Sequence, residues 1–182
     1  MTPMKTVFGL MLAFGLALQA AAPVPRPAGE FKIHEPSGKD TLLSAQKGKV
    51  VVIQFLFTWC PHCQAAAQWL SKMQTELGSK GLQVYGVAFN DEVLTKDVAT
   101  NNKTTSAFSQ YANFPVGLVT TKEPVLRFLG LSVVEGYGVP QMVVIDKKGV
   151  IRSQTTPRPS GNLTIATESV MRETVNKLLN EK

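Results

Sequence analysis

The stretch from Val50 to Leu77 constrains the fold more than any other part of the chain. Val50-Val51-Val52-Ile53-Gln54-Phe55-Leu56-Phe57 is rich in β-branched residues and apolar at both odd and even positions. That pattern predicts a central strand covered on both faces. Directly after it, Ala66, Trp69, Leu70, Met73 and Leu77 recur at helical spacing, and Gly78 and Gly81 end the run. Between strand and helix lies Trp59-Cys60-Pro61-His62-Cys63, which holds the only two cysteines in 182 residues. A strand that passes straight into a helix through Cys-x-x-Cys is the setting in which such a pair opens and closes as a disulfide.

The chemistry expected of the pair follows from position. Cys60 falls at the helix N-terminus, with Pro61 at the first helical position. Unpaired N–H groups and the helix dipole favour an anion there. Since the thiolate is the reactive species, Cys60 is expected to be the exposed nucleophile. Cys63, almost one turn on, is expected to be covered and to resolve a mixed disulfide. Two other readings stay open. A structural disulfide would close so small a ring that it restrains little of the unfolded chain. A zinc site would need four ligands, with His34 brought to His62 and both cysteines. The ring of His62 can donate to the Cys60 thiolate or, when charged, attract it; it can equally be a plain exposed side chain. Trp59 reads as an exposed apolar lid beside the sulfur or as core, and Trp69 as core.

The rest of the chain supplies the context. Lys5, the uncharged run Val7 to Leu18 and the small residues Gln19-Ala20-Ala21-Ala22 form a secretory signal pattern. The run is shorter than the roughly 18–20 residues of a spanning helix, which disfavours an uncleaved anchor. Residues 1–22 are therefore read as a signal peptide, which implies export to an oxidising, extracytoplasmic compartment such as the periplasm. Residues 23–30 are Pro-rich and read as an extended linker, and residues 31–182 as one domain. The net charge of +6 is scattered, with no basic run. This is a solvated surface and not a nucleic-acid site.

Further along, Glu30 to Lys49 holds the turn cluster Pro36-Ser37-Gly38-Lys39 and predicts a hairpin. Strands are expected at 82–89, 115–119 and 141–145, with 150–154 as hairpin partner across Asp146-Lys147-Lys148-Gly149. Helices are expected within 91–112 (best at 104–111), at 122–129 and at 168–179, and a loop at 155–161. Strands alternating with helices, ending in a hairpin and a helix, indicate an α/β sandwich with a mixed sheet.

Taken together, Gly48-Lys49 before VVVIQFLFTWCPHC, Phe114-Pro115-Val116, Gly138-Val139-Pro140 and the Ile145 to Gly149 turn resemble the redoxin branch of the thioredoxin superfamily. The likeness is greatest to exported TlpA/ResA-like thiol–disulfide oxidoreductases and covers residues 31–182. It implies a thioredoxin-like α/β sandwich with a central mixed sheet flanked by helices and an N-terminal β-hairpin. It also implies a cis Val139–Pro140 bond facing the cysteines, with Trp59, Pro61 and Val139 in the substrate groove. Sequence alone does not show this, since only about 5–6% of X–Pro bonds are cis. No cofactor is expected beyond the redox-active Cys60–Cys63 pair. Expected partners are cysteine-containing protein substrates and a membrane thiol–disulfide or quinone-linked redox protein, with the chain itself a monomer.

Three positions depart from the pattern. TlpA-like proteins place Pro before the second cysteine; here it is His62, and Cys-Pro-His-Cys is the motif of the oxidant DsbA. There is no long DsbA-type helical insertion between Phe89 and Pro140. The buried acid usual six residues before the first cysteine is Gln54. The ResA-type Glu three residues after the second is Ala66. The overall likeness points to reduction, as in cytochrome c maturation, whereas Pro61-His62 points to oxidation. A non-catalytic binding module with a closed disulfide is the alternative from another class. A peroxiredoxin-type peroxidase is disfavoured, because Phe57 stands where those proteins carry Thr.

Overall fold

The structure is a computed structural model that describes residues 22–89, 98–119, 121–131, 138–155 and 167–181. The signal pattern, residues 90–97 and most of the expected 155–161 loop lie outside the described residues. Among the described residues no helix is long and apolar enough to cross a membrane.

The strands are β1 (Arg26–Pro27), β2 (Lys32–His34), β3 (Asp40–Leu42), β4 (Val50–Leu56), β5 (Leu82–Ala88), β6 (Val116–Leu118), β7 (Gln141–Ile145) and β8 (Val150–Gln154). They form one sheet in the order β1-β8-β7-β4-β5-β6-β2-β3. β4 pairs in parallel with β5 and β5 with β6, while β7 runs antiparallel to β4. The helices are α1 (Pro61–Leu77), α2 (Val98–Phe108), α3 (Glu123–Leu129) and α4 (Glu168–Asn180).

The two-sided apolar pattern of β4 has the expected result. Val50, Val52 and Leu56 join one core with Ala66, Leu70 and Met73 of α1 and Met171 and Val175 of α4. Val51, Ile53 and Phe55 face a second core with Val125, Leu126, Phe128 and Leu129 of α3. All seven residues of β4 are buried, so the strand that leads into the cysteines is fixed from both sides. α1 buries Cys63, Ala66, Ala67, Leu70, Met73 and Leu77, a helical stripe. Trp69 is only half-buried, at the margin of that core.

Two expectations change. Residues 23–30 are not a free linker. Arg26 pairs with Ile151 and Pro27 with Val150, making β1 an edge strand. Arg26 donates to the carbonyl oxygens of Ala22 and Phe128 and, at 2.5 Å, to Gln154 Oε1. Proline is tolerated because an edge strand has a side that needs no N–H. Second, α2 begins at Val98 and ends at Phe108, whereas the helix was expected over 104–111. Residues 109–111 are turns that still place Tyr111 against Phe108, with ring centroids 5.6 Å apart. At the other side of the sheet β6 is pressed against β2: a Cβ on Gly117 would lie 2.4 Å from Ile33 Cγ2 and 2.7 Å from the His34 carbonyl oxygen, so glycine alone permits the approach.

Candidate active site

β4 ends at Leu56, and the chain turns through Phe57, Thr58 and Trp59 before α1. The turn is closed by the Cys60 N–H, which donates to the Phe57 carbonyl at 3.1 Å. Gln64 Nε2 donates to the Thr58 carbonyl at 3.0 Å and ties the turn to the first helical turn. Cys60 is the N-cap residue of α1, with extended backbone (φ −76°, ψ 117°), and Pro61 opens the helix. Its Sγ accepts the Cys63 N–H at 3.4 Å. The sulfur thus takes the place of the oxygen that normally satisfies a free helix-end donor.

The two thiols, both unbonded, differ in cover. Cys63 is wholly buried and Cys60 is 6% exposed. Cys60 is therefore less open than the sequence suggested, although of the two it is the one with residual exposure. Burial pushes the Cys63 thiol far above the usual thiol range, and the hydrogen bond with Cys60 adds to the shift. Desolvation disfavours the charged thiolate, so Cys63 holds its proton.

Opposite Cys60 lies the segment Gly138-Val139-Pro140. The Val139–Pro140 peptide bond is cis. The Cys60 thiol points to the Val139 carbonyl oxygen at 3.9 Å. Pro140 is buried and Val139 half-buried. Phe57 and Val139 both pack against both cores and close the end of the sheet beside the cysteines.

Trp59 is 52% exposed. Its ring lies on Phe57, centroids 5.3 Å apart, and Phe57 in turn meets Phe89 at 4.9 Å. The tryptophan is thus an exposed apolar surface on a fixed aromatic base. Pro61 and His62 are exposed as well. No hydrogen bond joins His62 to Cys60 among the described residues. The partners of the Cys60 sulfur are the Cys63 N–H and the Val139 carbonyl. His34 is far from this end: it sits on β2, three strands from β4, and pairs with Asp40 at 2.8 Å. The described residues hold no cluster of three metal-ligating side chains.

Gln54 has a part that reading it as a missing acid did not reveal. It is wholly buried on the α1 face of β4, and its Nε2 donates to the Cys63 carbonyl at 2.9 Å. Its Oε1 has no partner among the described residues. Ala66, the other position without an acid, is buried core of α1. A cavity of about 790 Å³ opens elsewhere, between the β1–β2 segment and α3. Phe31, Phe128 and Arg26 line it and none of the cysteine-site residues does.

A dithiol at the start of a helix, facing a cis-proline at the end of a mixed sheet, is the arrangement of the thioredoxin-like proteins. Solved structures agree on the fold. The chain superimposes on a thiol:disulfide interchange protein of the thioredoxin family from Chlorobium tepidum with TM-score 0.61 and 23% identity, covering 88% of this chain and 100% of that one. It superimposes on the thioredoxin domain of a thiol-disulfide oxidoreductase from Bacteroides vulgatus with TM-score 0.65 and 19% identity, covering 87% and 99%. Within that class the chain belongs to the AhpC/TSA family, which it matches over residues 24–154. It is also similar to the thiol:disulfide interchange protein DsbE of Escherichia coli, 27% identical over 135 residues, 72% of this chain and 64% of that protein. The Haemophilus influenzae protein of the same name is 31% identical over 106 residues, 58% of this chain and 50% of that protein. The match thus spans less than two thirds of the length of these relatives.

Proposed function

We propose that this chain is an exported thiol–disulfide oxidoreductase that exchanges its Cys60–Cys63 pair with cysteine-containing protein substrates. The observation that carries the reading is the asymmetry of the pair. Cys60 keeps residual exposure, takes a helix-end N–H on its sulfur and faces the cis-proline segment; Cys63 is sealed behind it and protonated. In the reducing direction the Cys60 thiolate attacks a substrate disulfide. A mixed disulfide forms and one substrate sulfur leaves as a thiolate. Cys63 then loses its proton and attacks the Cys60 sulfur. The ring closes, the second substrate thiolate leaves, and two electrons have passed to the substrate. The oxidising direction is the reverse. Both need only the two thiols.

The relatives named thiol:disulfide interchange protein support this reading, as do the exposed Trp59 and Pro61, which offer a polypeptide an apolar surface beside the sulfur. The signal pattern over residues 1–22 supports export. A membrane redox partner that resets the pair completes the proposal. The family also admits a peroxidase reading, but Phe57 stacks between Trp59 and Phe89, so the expected threonine hydroxyl is replaced by a ring.

The test is trapping. Cys63→Ser is expected to accumulate mixed disulfides with protein substrates through Cys60, and Cys60→Ser to accumulate none. Equal trapping by both variants, or none by either, overturns the proposal. The equilibrium with glutathione then gives the direction: a potential near about −120 mV marks an oxidant and one near about −270 mV a reductant.

A further inference from the structure

Gln141 is a wholly buried amide immediately after the cis peptide, and neither the helix-end chemistry nor the apolar core accounts for it. It opens β7, in register with Phe55 of β4, on the sheet face away from α1. A buried amide is costly unless its donor and acceptor are both used. Here both are. Nε2 donates to the Gly138 carbonyl at 2.6 Å. Oε1 accepts the Thr155 hydroxyl at 2.7 Å. Thr155, also buried, in turn accepts the Met142 N–H at 2.9 Å and donates its own N–H to the Met142 carbonyl at 2.9 Å. A continuous chain of hydrogen bonds therefore runs from the β7 backbone through Thr155 and Gln141 back to Gly138.

Among the described residues, the other hold on this segment is the apolar packing of Val139 and the burial of Pro140. Gly138 is exposed and has no atom within 4 Å of where a side chain would begin. Pro140 has no N–H to bond. Val139, between them, carries the carbonyl that faces the Cys60 sulfur. The grip of Gln141 on the Gly138 carbonyl thus acts on the peptide unit directly before Val139.

We propose that Gln141, oriented by Thr155, is a positioning residue for polypeptide substrates: it presents the Val139 backbone to an extended peptide whose disulfide lies over Cys60. This rests on the exchange reading above. A small disulfide needs only the sulfur, whereas a peptide needs the backbone edge as well. Loss of the grip should therefore separate the two.

The experiment measures exchange by the pre-reduced full chain with a short disulfide-bonded peptide and with a small linear disulfide, bis(2-hydroxyethyl) disulfide. Gln141→Met keeps the volume and removes both hydrogen bonds. It is expected to lower kcat/KM for the peptide about tenfold more than for the small disulfide, mainly through KM. Thr155→Val is expected to show the same split, and Thr155→Ser, which keeps the hydroxyl, to restore the wild-type ratio. Equal losses on both substrates, or a Thr155→Ser variant no better than Thr155→Val, overturn the inference and leave Gln141 a structural amide. A wild-type protein inert toward both substrates refutes the exchange reading and takes this inference with it.

Discussion

The buried proton of Cys63 should be visible in the stability of the reduced protein. The Cys63 thiol is wholly buried, and burial raises its pKa well above the ordinary value of 9.0. In the unfolded chain the thiol titrates near that ordinary value. Between the two pKa values the folded state binds a proton that the unfolded state has lost, so stability falls as pH rises. The contribution is fully present below pH 9 and is lost progressively above it. The slope approaches about 1.4 kcal/mol per pH unit for one group. At pH 10.5 this amounts to about 2 kcal/mol, a large share of a typical folding free energy of about 5–15 kcal/mol.

Another group titrates in the same range. Tyr85, whose hydroxyl is also pushed up by burial, adds its own alkaline loss. The comparison that isolates Cys63 is Cys60→Ser against the double variant Cys60→Ser/Cys63→Ala. Urea unfolding at pH 7 to 10.5 gives the difference in stability between the two. That difference should be constant to about pH 8.5 and then shrink by about 2 kcal/mol at pH 10.5. A constant difference across the whole range would mean that Cys63 ionises as readily folded as unfolded. Cys63 would then not be held protonated by its burial.

Two further outcomes are expected. Gln54→Glu places a proton acceptor where the Oε1 of Gln54 has no partner among the described residues, so stopped-flow release of the second substrate thiol should quicken severalfold above neutral pH, at a cost of about 1–3 kcal/mol in stability; an unchanged rate refutes a proton-limited resolution. His62→Leu should lower the reduction potential against glutathione by less than about 30 mV, because the exposed ring makes no hydrogen bond to Cys60, and a larger drop would show a contact formed in solution.

Much of this architecture was legible along the chain, for identifiable reasons. β4 is buried on both faces and says so in Val50 to Leu56. α1 carries its own apolar stripe, start and stop. The 146–149 turn marks the β7–β8 hairpin through Asp146 and Gly149, whose φ of +83° suits glycine. Features that depend on distant partners were not legible. Pro25 and Pro27 read as linker, and only the β8 edge, more than a hundred residues on, makes Arg26–Pro27 a strand. The grip of Gln54 on the Cys63 carbonyl needs the fold of α1 over β4. Gln141 and Thr155 are ordinary polar residues until the hairpin puts them side by side. The cover over Cys60 likewise depends on a carbonyl from Val139, 79 positions later. His62, adjacent to Cys60 in sequence, is exposed on the first turn of α1 and makes no hydrogen bond to it among the described residues.

The two glutamines give the site a common character. Gln54 on β4 and Gln141 on β7 occupy neighbouring strands, since Gln54 pairs with Met142 and Phe55 with Gln141. Each is wholly buried, and each spends its amide N–H on a backbone carbonyl, that of Cys63 in one case and of Gly138 in the other. The dithiol is thus braced from below by dipoles and not by charges. A carboxylate in place of Gln54, on the α1 face, would add a base for Cys63. With neutral amides, neither of these two braces can take the Cys63 proton. In the proposed exchange, that proton leaves through water or through the departing substrate thiolate, which is produced at the site as the reaction needs it. Resolution is then coupled to the substrate: a partner whose thiolate is a good base and sits close to Cys63 is released quickly, and one that presents no such base is held as the mixed disulfide.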